Sequence, residues 1–150
     1  MTADTSAPGA TWLQRMARWL LGAALLFAGT SHLTIARAEF LAQVPPWLPV
    51  DPDLVVVASG VVEIALGLAL LTSRGLARVW VGWAVALFFL AIFPGNIAQF
   101  TEGRDGFGLD TDLARGIRLL FQPVLVAWAL WSTGAWRAWR EWRTRGARPE

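Results

Sequence analysis

Apolar residues fall in four long blocks along this chain, parted by short polar stretches. The clearest block is 54–73, LVVVASGVVEIALGLALLTS, twenty residues whose one charge, Glu63, lies at their centre. A helix of that length crosses a bilayer. Residues 19–36 form another block, eighteen residues without a formal charge that follow Arg15 and Arg18. The third, 79–101, is interrupted by Phe93-Pro94-Gly95-Asn96, where Pro94 removes a helix hydrogen bond and is expected to kink or end the helix. The fourth is 119–136. The pattern predicts an all-α fold, a four-helix transmembrane bundle with a short interfacial segment between helices 1 and 2.

The polar stretches fill in the layout. Residues 1–11 are small and polar, with a Pro-Gly pair, and are expected to be a disordered tail. The membrane domain then covers 12–136, and 137–150 is a basic tail suited to the headgroup region. In ARAEFLAQVPPWLPVDPD, four prolines alternate with apolar anchors such as Phe40, Val44 and Trp47. This predicts a short helix in the interface, ended by Pro45-Pro46, lying over the outer mouth of the bundle. Ser73-Arg74-Gly75 is a tight turn. The loop TEGRDGFGLDTDLARG is acidic and glycine-rich and belongs in water. Its Asp105, Asp110 and Asp112 lack a calcium-loop pattern, so no metal is expected.

For the first block a signal peptide is the alternative, because Ala36-Arg37-Ala38 imitates a cleavage site. That site, however, lies far beyond the most apolar part, 20–28. Gly22, Gly29 and His32 also share a packing face that a discarded peptide would not need.

Composition supports the membrane reading. The chain has 150 residues, 55% hydrophobic, with mean hydropathy +0.47, too apolar for an ordinary soluble domain of this size. There is no cysteine and one histidine, which excludes thiolate metal sites, iron–sulfur clusters, thiol redox chemistry and bis-histidine haem within this chain alone. A net charge of +2 and a pI near 10.9 could suggest nucleic acid, but the arginines gather at block ends, where a lipid bilayer is the simpler partner. The N-terminal flank, the 73–78 turn and the tail hold nine Arg and three acids, against four Arg and seven acids in the two opposite loops. By the positive-inside rule both termini are cytoplasmic.

Within or at the edge of the blocks sit His32, Glu63, Asn96, Arg118 and Gln122. At ~1.5 Å per residue from the cytoplasmic arginines, they lie about 16 to 28 Å up a core ~30 Å thick. They are expected to converge on one cavity open to the outer face, as ligand or proton sites. Each also has a structural explanation: His32 as a capping residue, Glu63 in a structural ion pair, Asn96 as a cap at Pro94, and Arg118 snorkelling outward. Glu63 is the hardest to dismiss, because a carboxylate at mid-membrane must take a proton or find a cation. Gly60 and Gly67 share its helix face and would let another backbone approach closely.

Gly29-Thr30-Ser31-His32-Leu33, Phe40 followed by Val44-Pro45-Pro46-Trp47-Leu48-Pro49, Ser59-Gly60 with Glu63 and Gly67, Phe93-Pro94-Gly95-Asn96, and Arg118 with Gln122 together resemble the DoxX-like family of small four-helix bacterial membrane proteins. The resemblance covers roughly 19–131. It departs where such proteins often show Arg-Leu-Pro-Leu-Gln: here Leu120 and Phe121 follow Arg118-Leu119, and a kink is expected to be lost. The resemblance implies residence in the bacterial inner membrane and a role beside an oxidoreductase, as a membrane subunit or quinone-contacting partner, with quinone as ligand and no covalently bound cofactor. Two other readings stay open. One is a non-catalytic binding or carrier protein for a small lipophile or weak acid, with Arg118 facing the anion. The other is a purely structural membrane component whose polar residues are interhelical glue.

Overall fold

The computed structural model describes residues 9–146, and the remaining residues of both expected tails lie outside the described range. Within it the chain is all-helical, with six helices: α1 (Trp12–Leu33), α2 (Arg37–Leu41), α3 (Pro52–Thr72), α4 (Gly75–Thr101), α5 (Asp112–Ser132) and α6 (Ala135–Gly146). Three of them, α3, α4 and α5, are long and apolar enough to cross a membrane. The fourth expected span, α1, is 22 residues long but carries Gln14, Arg15, Arg18 and His32, and is less apolar. In each of the three apolar helices at most 33% of the most apolar window is buried. Their outward faces are apolar instead, with Leu54, Val61, Leu68, Leu87, Leu90 and Leu120 all exposed. Water would penalise so large an apolar surface, whereas lipid would not.

Helix ends follow local chemistry, and several differ from the sequence pattern. Thr11 closes a capping box with Gln14, so α1 begins at Trp12, seven residues before the uncharged block and within the expected tail boundary. Asp51 caps α3 with Pro52 at its first turn, and Thr111 caps α5. Helix α5 therefore starts inside the loop assigned to water. Pro94 does not end α4, which runs on to Thr101. Asn96 is thus mid-helix, and the capping explanation for it fails. The last long helix keeps a proline despite Leu120 and Phe121: Pro123 sits inside α5, next to Gln122. Helix α2 closes at Leu41, before Pro45-Pro46, and the chain continues as turns to residue 50. At the far end Gly134, with φ +75°, breaks the chain into α6, whose Ala135 and Ala138 are buried in the core beside Val79. The basic segment is therefore packed against the helices at its start.

Helix α1 packs chiefly on α3, and α4 on α5, with lighter contacts from α1 to α5 and from α3 to α4. Glycine sets the first of these. A Cβ at Gly29 would lie 2.6 Å from the Gly60 carbonyl oxygen, and one at Gly67 would lie 2.8 Å from that of Gly22. Two glycine pairs seven residues apart thus bring the backbones of α1 and α3 together, which carries His32 to the face of Glu63. Near the α6 end the core is filled by Leu21, Leu25, Leu70, Val79, Val85 and Phe89. Away from it the lightly contacting helix pairs leave space.

Candidate functional site

That space is a cavity of about 480 Å³ between the two helix pairs. His32, Glu63, Asn96, Arg118 and Gln122 all line it, one from each of α1, α3 and α4 and two from α5. Apolar side chains such as Leu25, Val56, Phe89 and Leu125 make up most of the remaining wall. The hairpin of residues 40–48 lies across it, with Phe40, Val44, Pro45 and Trp47 lining it as well.

His32 and Glu63 are both buried, 5% and 6% exposed, and His32 Nδ1 lies 3.1 Å from Glu63 Oε2. The same Nδ1 is 3.0 Å from the Ala28 carbonyl oxygen one turn back. A carbonyl only accepts, so Nδ1 carries the proton in that contact. One N–H thus stands between two acceptors. Its hydrogen bond goes to Ala28, and Glu63 Oε2 accepts none from any described residue. Phe40 stacks on the His32 ring at 3.3 Å between centroids, which fixes the ring from the hairpin side.

On the opposite wall Asn96 Nδ2 donates to Gln122 Oε1 at 3.0 Å, and Gln122 Nε2 donates to the Phe89 carbonyl. The two amides form a closed chain between α4 and α5 beside Pro94. Arg118 is partly buried at the cavity edge. Its guanidinium lies 5.6 Å from the centre of the Phe107 ring, and it pairs with no described carboxylate. It lines the cavity beside the loop that carries Phe107.

Sequence reasoning placed the hairpin over the bundle but missed the second layer of this cover. The loop 102–111 does not simply extend into water; it folds back on the hairpin. Phe107 meets Phe40 edge to face at 4.6 Å, and its backbone N–H donates to Glu39 Oε2 at 2.6 Å. Arg104 Nη1 donates to the Val44 carbonyl at 2.6 Å. Arg37 grips Asp53 at the start of α3 with two hydrogen bonds, Nε to Oδ1 at 2.6 Å and Nη2 to Oδ2. Those bonds and the charge of Asp53 raise the Arg37 guanidinium above its ordinary pKa. Buried Arg115 holds Asp105, Asp112 and the Leu109 carbonyl, which closes the loop on α5. Gln43 was missed as well. It lines the cavity from the hairpin, and its buried Nε2 has no acceptor among the described residues. One amide among the apolar anchors of the 40–48 stretch was the available signal.

An all-helical fold with three apolar helices of span length is compatible with a multi-pass membrane protein. The family model described as Domain of unknown function (DUF8561) matches residues 21–133, and the chain belongs to that family. No curated protein and no solved structure matches it.

Proposed function

We propose that this chain is a DoxX-like, four-span protein of the bacterial inner membrane with both termini in the cytoplasm, whose cavity receives a quinone head group. In this reading α1 is the fourth span, and the protein serves as a membrane subunit or quinone-contacting partner of an oxidoreductase. The observation that supports it is the gathering of His32, Glu63, Asn96, Arg118 and Gln122, from four helices, on one largely apolar cavity. A quinone offers carbonyl acceptors to Arg118 and apolar substituents to the walls. Its reduction takes two electrons, supplied by the partner, and two protons. His32 and Glu63 are the titratable pair at the site that could pass them. The test is extraction of lipid from the purified protein. About one quinone per chain is expected, falling at least several-fold in Arg118→Leu; protein that carries none and takes up none when offered it would refute the reading.

A second reading, a non-catalytic binder or carrier of a lipophilic weak acid, is favoured by Arg118, a cavity cation without a carboxylate partner. A stoichiometric carboxylic acid in the same extract, in place of a quinone, would select it.

A further inference from the structure

The polar groups of the cavity differ in how far they are matched. Asn96 Nδ2 donates to Gln122 Oε1, and Gln122 Nε2 donates to the Phe89 carbonyl. Three groups keep unused capacity. Glu63 Oε2 accepts no hydrogen bond, Gln43 Nε2 has no acceptor, and Arg118 is engaged only by the Phe107 ring among the described residues. Buried polar groups are normally hydrogen-bonded, so orphans sharing one cavity point to a missing partner.

Gln43 is held where a ligand would meet it. Its backbone carbonyl sits against Gly95 of α4, where a Cβ would lie 2.5 Å from that oxygen. The next carbonyl, that of Val44, is fixed by Arg104. The hairpin is thus held at Gln43 itself and at the residue after it, which makes it a wall of the site as much as a cover.

We infer that Gln43, Arg118 and Glu63 are the head-group contacts of the cavity's ligand, and that this ligand is an uncharged lipophile bearing both an acceptor oxygen and a hydroxyl. The acceptor oxygen takes N–H groups from Gln43 and Arg118, and the hydroxyl donates to Glu63 Oε2. One guanidinium and one carboxylate balance, so the head group needs no charge of its own. The inference rests on the quinone reading and narrows it. A quinone has acceptors only and leaves Glu63 Oε2 unmatched, whereas a hydroquinone or a hydroxyaryl ketone matches all three groups.

The experiment uses the full chain purified in detergent, with calorimetric titration of 1-(4-hydroxyphenyl)octan-1-one, its 4-methoxy ether, and a short-chain ubiquinone. The ether keeps the carbonyl and the tail and loses only the donor. The phenol should bind the wild-type protein about tenfold tighter than the ether, the value of a hydrogen bond to a charged group. Gln43→Leu should weaken both by a similar factor and preserve their ratio, while Glu63→Gln should shrink the ratio. The wild-type comparison needs no variant to fold. Equal binding of phenol and ether, or unchanged affinities in Gln43→Leu, would overturn the contact set; ubiquinone binding in that case leaves the quinone reading standing. Failure of all three compounds to bind the wild-type protein would overturn both.

Discussion

His32 has one N–H for two acceptors, and this shapes what each variant should do. With Glu63 replaced by Gln, His32 keeps Ala28 but loses its neighbouring carboxylate. With His32 replaced by Gln, Glu63 loses the ring nitrogen 3.1 Å away and stays buried. The double variant removes both problems together. Its loss of stability should be smaller than the sum of the single losses by about 0.5–3 kcal/mol, read from unfolding in detergent. Strict additivity would mean that the 3.1 Å contact carries no energy. The amide chain on the opposite wall gives a second case. Gln122→Leu strands the Asn96 amide in a buried position and should cost about 1–3 kcal/mol, whereas Asn96→Leu combined with it should recover part of that loss.

Helix packing makes the next prediction. At Gly29 a methyl group would meet the Gly60 carbonyl oxygen at 2.6 Å and the Ile64 backbone nitrogen at 2.9 Å. Backbone cannot move aside as a flexible side chain can. Gly29→Ala should therefore push α1 from α3 and cost about 1–3 kcal/mol, while Ala23→Leu, on the exposed side of α1, should be nearly neutral. The same wedge would separate His32 from Glu63, so ligand binding should fall with stability in the first variant only. The hairpin is held differently, by ties to α3, to the 102–111 loop and to Gly95, and by Phe40 on His32. Phe40→Ala should loosen that cover, with faster ligand dissociation in stopped-flow measurements and little change in melting temperature.

In the proposed topology the cover faces outward and α6 faces the cytoplasm. Trp12, Trp19, Trp80, Trp131, Trp136 and Trp142 are all exposed towards the α6 end, as an interfacial belt requires, and Trp47 is exposed at the other end. A membrane-impermeant thiol reagent applied to intact cells should label Gly108→Cys and leave Thr144→Cys unlabelled. The reverse pattern would invert the topology. Both positions are exposed, and the wild-type chain has no cysteine to confuse the result.

Residue order carried the long helices, the hairpin after α1 and the identity of five cavity-lining side chains, because these follow from local rules. Apolar block length, the glycine and polar positions sharing a helix face, and depth counted from arginines are all readable at 1.5 Å per residue. Helix ends were less legible. Caps such as Thr11 and Thr111 extend helices into polar sequence, and the proline in α4 is absorbed without a break. Only the tertiary structure decided which groups have partners. Asn96 and Gln122 satisfy each other across 26 residues of sequence, Phe107 reaches Glu39 across 68, and Gln43 is left with an orphan amide against α4. Contacts between distant segments depend on distances of a few tenths of an ångström, and that of His32 with Glu63 is set by how closely the Gly22–Gly67 and Gly29–Gly60 pairs let two backbones approach. A linear pattern gives the faces that meet, and the packed chain fixes the separation at which they do.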